Sequence, residues 1–351
     1  MARTPTLIDL LDRLEPEVRR AFERAVQIIA GDVRVGALEA AIRAGDIAAA
    51  MSAVELDPSY FRPLEEALRA AHLSAGDQTF DGARKLARRR GAVLTGRFDS
   101  RNLRAESVLR HWSSTKIVEI TTSTAEAVRE TLTELMTRGT SPRSAARQIV
   151  GSVGPGGRRT GGIIGLDSNR ASWVRNMGEE LRTSSSNYFT RKLRDRRFDS
   201  VVRRAIRTGK PLTEAEITKI TARYSGRLLK MRGEAIARTE LLGSLHAAQA
   251  EGLQQMVDSG QVRSENIQIE WDASNDRFTR RTHREADGQR RRQGEDFTIG
   301  GYPMAHPGDG SRAPAGEVIN CRCVLRPDID FVAGLRGRLT PAELALTRSL
   351  M

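Results

Sequence analysis

Cysteine is nearly absent: two residues in 351, one position apart, cannot staple a secreted scaffold. Aromatic residues make up only 5% of the chain, so any core must be built from Ala, Leu, Ile and Val, which suits helices. Lysine occurs six times among 57 basic residues, leaving nearly all positive charge to arginine, the better fork for phosphate and carboxylate. No apolar run reaches the roughly 18–20 residues of a membrane span, so no membrane partner is expected. The opening MARTPTLIDLLDRLEPE lacks an apolar stretch followed by a small-residue cleavage site, and a secretory signal is not expected. The length is enough for two or three domains with real cores.

What is present in excess is positive charge, a formal net of +13. It is unevenly spread. Residues 1–70 hold 9 basic and 12 acidic side chains, and the other 281 hold 48 and 32, a net of +16. Such a balance points to nucleic acid or an acidic protein surface as partner.

The expected fold class is mainly α: multi-helix N-terminal and central regions followed by a small loop-rich α+β C-terminal domain. Residues 1–100 read as a helical module. In it Pro16 opens a helix that stops near Gly31, Gly45 ends another, Asp46 and Asp57-Pro58 start two more, and 74–100 is a loop or weak helix. Residues 101–260 read as a long-helix region, with an apolar stripe through Ile117, Ile120, Val128, Leu132 and Leu135. Within it, Ser141-Pro142 and Asp167 cap helices, and GPGGRRTGG (154–162) is a mobile linker rather than a phosphate loop, since it lacks Gly-Lys-Ser/Thr. Helices are expected at about 187–208 and 213–238, with another to about Gly260. In 261–330 the texture changes: NIQIEWDA alternates like a strand, Gly and Pro are frequent, and VINCRCVLRP forms the last strand. A tail helix is expected at 331–351.

The ordered series IARTE (236–240), W-x4-D-R (Trp271, Asp276, Arg277), His283, DGQ (287–289), HPGD (306–309) and N-C-R-C (320–323) is the most specific signal. In that order these motifs resemble the phage Mu F-like family of minor head or head-morphogenesis proteins, which includes the SPP1 minor head protein. The likeness is strong over about 220–327 and looser over 115–220. It marks Arg238, Glu240, Trp271, Asp276, Arg277 and Asn320 as structural motif residues. It implies a low-copy virion component, located in the head interior or at the portal vertex and in host cytoplasm during assembly. Its implied partners are the portal protein, packaged double-stranded DNA without sequence preference, and capsid or scaffold proteins. Its implied action is binding rather than chemistry.

The residues carry their own readings beside this. On a strand, Cys321 and Cys323 would present two thiols on one face, poorly placed for a mutual disulfide and well placed as two ligands of a structural Zn²⁺. His283 is the third candidate and His306 or Asp276 the fourth; the plainer reading is two buried cysteines and a hydrogen-bonded histidine. Asp276, Arg277, His283 and Asn320 could instead serve a small zinc-dependent enzyme acting on nucleic acid, although no nucleophile has its base nearby and an ion pair holding loops is the commoner explanation. Arg238 and Glu240 read as anchors beside apolar Ile236 and Leu241. Two basic runs are candidate phosphate contacts: Arg196, Arg197, Arg203 and Arg204 in 190–210, and Arg290, Arg291 and Arg292 in a loop of 276–292. Neither is interleaved with aromatics, which disfavours single-strand stacking. A non-specific DNA-binding protein with no portal role is the remaining alternative.

Overall fold

The computed structural model describes residues 7–154, 156–331 and 333, with the side chains of all but 108 and 111–113. The expected tail helix at 331–351 lies outside the described residues. Among them are eleven α-helices and seven short strands: α1 (Leu7–Asp32), α2 (Val35–Ala44), α3 (Ile47–Val54), α4 (Arg62–Arg89), α5 (Leu103–Thr137), α6 (Pro142–Val150), β1 (Ser152–Val153), β2 (Arg159–Thr160), α7 (Ser168–Arg182), α8 (Asp199–Thr208), α9 (Glu214–Asp258), β3 (Ile267–Asp272), α10 (Arg281–Glu285), β4 (Arg290–Arg292), β5 (Phe297–Ile299), β6 (Tyr302–Met304), α11 (Ala315–Val318) and β7 (Val324–Ile329). The chain is mainly α with a small α+β region near its C-terminal end, as expected. No helix among the described residues is long and apolar enough to cross a membrane.

The caps fall where the side chains dictate. Asp46 accepts from the Ala49 N–H at 2.9 Å to open α3, Ser141 from Ser144 to open α6, and Asp167 from Arg170 at 2.9 Å to open α7. Gly45 closes α2 at φ +75°, a left-handed conformation that glycine adopts without the Cβ penalty.

Pro16 lies inside α1 rather than opening it, and four further expectations need correction. First, α4 runs unbroken to Arg89, because Leu68, Ala71, Ala75, Phe80, Ala83 and Ala87 keep a buried stripe through the stretch expected to be a weak helix. Second, 187–208 is not one helix. Asp195 is spent on Arg197 (2.6 Å) and a short 3₁₀ turn, Arg194 bonds Asp199, and only then does α8 begin. Third, the two helices expected from 213 to about 260 are the single 45-residue α9. Fourth, the expected linker is a clasped hairpin: β1 pairs antiparallel with β2, Ser152 opposite Thr160. A Cβ on Gly162 (φ +75°) would lie 2.6 Å from the Ile149 carbonyl oxygen, so close backbone approach requires glycine there.

Two compact units are present, and each is discontinuous in sequence. One comprises the chain up to Pro16, Ala67–Ser113 and the part from Ala235 onward; the other comprises Glu17–Glu66 and Ser114–Glu234. The expected boundaries at 100 and 260 are therefore not where the units part: α1, α4, α5 and α9 each supply residues to both. In the second unit, stacked Phe22 and Phe61 (6.1 Å) join buried Leu132, Ile149, Leu166, Tyr188 and Leu228. At its centre the guanidinium of Arg232, 5% exposed, donates to the Gly165 carbonyl at 2.9 Å, Ser123 Oγ at 2.7 Å and Thr124 Oγ1 at 3.2 Å. Burial lowers its pKa to about 10, so it remains charged near neutral pH, with Asp167 3.9 Å away.

In the first unit a three-stranded antiparallel sheet, ordered β4-β3-β7, carries the small α+β region. β3 alternates as the sequence predicted, with Ile267, Ile269 and Trp271 buried. β7 pairs with β3 in the register Trp271 opposite Leu325. The start of this unit is tied to its end. Glu15 receives a fork from Arg238 (3.0 and 2.5 Å), and Arg90 bonds Asp328 and the Ile329 carbonyl, each at 2.7 Å.

Candidate metal centre and its cavity

Cys321 and Cys323 do not lie on the last strand as expected. The one-turn helix α11 and a left-handed Asn320 (φ +60°) turn the chain, and β7 begins only at Val324. The thiols sit on the extended approach to β7, so both still point to one side, 2% and 1% exposed. Asn320 is held by its N–H to Thr239 Oγ1 at 3.2 Å, so the IARTE segment grips the Asn-Cys turn through Thr239 and the chain's beginning through Arg238.

Helix α10 supplies the third group. His283, 1% exposed, stands edge-on to the buried Trp271 ring at 5.6 Å. Its Nδ1 lies 3.4 Å from Cys323 Sγ and 3.5 Å from Cys321 Sγ. Its Nε2 lies 3.1 Å from Glu317 Oε2, which also accepts from Thr282 Oγ1 at 2.8 Å. A carboxylate at Nε2 favours the tautomer with the proton there and leaves the Nδ1 lone pair toward the sulfurs. All three donor atoms lie within 4.8 Å of one another. A tetrahedral zinc with Zn–S near 2.3 Å and Zn–N near 2.0 Å would hold its N and S donors about 3.5 Å apart, so the residues fit that ion. The hydrogen bond from Cys321, reinforced by His283, pulls Cys323 down to about 5, while the same sharing and burial push Cys321 up. A divalent cation would let both be thiolates.

The other fourth-ligand candidates do not join this cluster. His306 bonds the Pro307 carbonyl through Nδ1 and stacks on His246 at 5.6 Å. The Asp276 carboxylate is bound into its own turn, accepting from the Phe278 N–H at 2.8 Å and Thr279 Oγ1 at 3.0 Å, and these bonds, led by Phe278, hold its pKa low. Asp276 does line the open cavity of about 400 Å³ onto which the triad faces, with Arg238, Phe278, Arg280, Asn320 and Arg322. Arg277 lies over the Phe278 ring at 4.6 Å. Glu240 is half-buried on α9. Glu317 and Glu15 are the residues sequence reasoning missed. Glu317 was within reach, four positions before Cys321; Glu15 is 223 positions from Arg238, and nothing local announces it.

The basic runs divide. Arg290, Arg291 and Arg292 are not in a loop but form β4, beside β3. Arg290 is paired with Glu270 at 2.7 Å and Arg291 bonds the Asp296 and Arg290 carbonyls, which leaves Arg292 exposed with no hydrogen bond to its guanidinium among the described residues. In the other run Arg197 is held by Asp195 and Arg203 lies over the Phe189 ring at 5.2 Å. Arg196 and Arg204 are exposed.

Residues 196–326 match the model of the family described as Phage Mu protein F like protein. Over 100 residues the chain is 35% identical to the NAD(+)--arginine ADP-ribosyltransferase EFV of Enterococcus faecalis, a stretch covering 28% of this chain. The chain spans only 19% of that protein's length, and the activity in its name belongs to that protein. No solved structure matches the chain. From the 3₁₀ turn before α8 to the middle of β7, the chain is thus similar to the family its motifs resemble.

Proposed function

We propose that the protein is a phage head-morphogenesis protein, a minor component of the virion that acts by binding, with the portal and packaged DNA as its principal partners. The match over 196–326 carries this reading. The use made of the motif residues supports it: Arg238 and Thr239 hold distant segments together, and Trp271 is wholly buried. Asp276 is bound into its own turn and Glu317 orients the His283 imidazole, so both carboxylates have structural partners. The +16 balance beyond residue 70 fits a partner rich in phosphate or carboxylate.

The triad holds a structural metal, zinc by donor chemistry and spacing, with His283, Cys321 and Cys323 as ligands and Glu317 orienting the imidazole. The ion would supply a cross-link between α10 and the approach to β7.

The test is assembly with the portal. The chain should co-purify with portal rings and appear at the portal vertex of assembled heads, with close to one zinc per chain by elemental analysis. Heads of normal composition formed without the chain would defeat the assembly role, and a metal-free, well-folded protein would defeat the zinc reading.

A further inference from the structure

The triad brings three protein donors, and a tetrahedral ion needs four. Each nearby group that might close the set is committed elsewhere. Glu317 is on the far nitrogen of the imidazole, Asp276 is bound into its own turn, and His306 bonds Pro307. On the open side lies a cavity of about 400 Å³. We infer that the fourth position faces this cavity and is filled in trans by a side-chain carboxylate from an acidic segment of a partner protein. This rests on the metal reading above.

Charge argues for an anion. Two thiolates balance a divalent ion, so the ion with its three ligands is neutral. Three arginines, Arg238, Arg280 and Arg322, line the cavity against a single carboxylate, Asp276. Glu15 neutralises Arg238, but Arg280 spends one N–H on the Ile319 carbonyl at 2.6 Å and keeps its charge, and Arg322 is exposed. The cavity wall therefore carries a net positive charge, focused by the low-dielectric walls of a concave site.

The rim argues for a peptide rather than a phosphodiester. Phe278, 73% exposed, and Ile319, 44% exposed, both line this cavity. Large apolar side chains held in solvent beside arginines and a desolvated centre are the ingredients of a protein-binding spot: an apolar anchor next to a charge-assisted bond. A DNA backbone would use the arginines and leave Phe278 and Ile319 wet.

Cobalt(II) loaded in place of zinc on the full chain makes the fourth position visible, because its d–d bands report the ligands around it. The probes are a blocked pentapeptide, Asp-Glu-Leu-Asp-Phe, its Asn/Gln counterpart, acetate, inorganic phosphate and a short DNA duplex. The acidic pentapeptide should shift the bands saturably, and its Asn/Gln counterpart should bind at least about tenfold more weakly. Arg322→Gln, alone and with Arg280→Gln, should weaken the pentapeptide by a similar factor while cobalt uptake and the thiolate charge-transfer band stay unchanged. Bands indifferent to every anion would overturn the open position. Phosphate or duplex binding as tightly as the pentapeptide would overturn the peptide assignment, as would an affinity unmoved by the arginine substitutions. Failure to take up cobalt at all would instead defeat the metal reading on which the inference stands.

Discussion

Acid should loosen the first unit through two buried histidines. His72, 2% exposed on α4, and His246, wholly buried on α9, are both kept neutral chiefly by burial, their pKa lowered from 6.5 to about 4 and about 3. Among the described residues neither ring nitrogen of His246 makes a hydrogen bond of good geometry; neighbouring His306 adds to the penalty, and Gln249 and Cys323 offset only part of it. The unfolded chain takes up protons near pH 6.5 while the folded one resists until pH 4 or below. Stability is therefore fully present above pH 6.5 and falls as pH drops, flattening once the folded rings themselves titrate. At pH 5 each ring accounts for about 2 kcal/mol of loss by linkage, about 4 kcal/mol for the pair, a large share of the 5–15 kcal/mol typical of a domain. Hydrogen exchange of amides in 245–256, with intrinsic rates corrected for pH, measures the opening free energy at pH 7.5 and pH 5. The readout is the difference between wild type and the His72→Gln, His246→Gln double variant, so carboxylates and any bound metal cancel. If both proteins lose the same stability between the two pH values, the rings are not held neutral and the reasoning fails.

Arg232→Met should destabilise the second unit by about 2–4 kcal/mol, since it leaves the Gly165 carbonyl, Ser123 Oγ and Thr124 Oγ1 short of a donor, while Asp167 keeps its bonds to Arg170; exchange at α5 and α7 would show it, and protection within 1 kcal/mol of wild type would contradict it. Glu317→Gln should lower zinc affinity by about 10–100-fold in competition with a chelator, while Cys321→Ser should release the ion. Arg292→Ala should lower the salt dependence of duplex binding by about 0.9 units, and Arg290→Ala and Arg291→Ala should leave it unchanged because those guanidinia are already engaged. A shared loss across all three would mean that β4 presents its arginines together.

The local signals were legible and the long-range ones were not. Asp46, Ser141, Asp167 and Gly45 cap where their side chains say they should, because a cap is decided within four residues. The Cys-x-Cys pair and His283 were found as a set because few residue types bind a metal. His306 was grouped with them by type alone, and only packing against His246 shows that it turns away. Reading Arg290–Arg292 as a loop overlooked pairing with β3, since three arginines offer no alternation and the strand is made by its neighbour. Unit boundaries were invisible for the same reason: Arg238 finds Glu15 across 223 positions, and helix periodicity carries no record of its partner.

That pairing of early with late residues also sets the order in which the chain can mature on the ribosome. The second unit has its sequence complete once Glu234 has emerged, but the first must wait for β7, because Glu15 bonds Arg238 and Arg90 bonds Asp328 and Ile329. Throughout that interval the opening turns of α1 and the latter part of α4 lack the cover that the end of α9 and β7 give them, and loop closure over more than 200 residues makes the last step slow. A message truncated anywhere before codon 329 would yield a chain whose first unit never closes, prone to aggregate even though most of its helices are present.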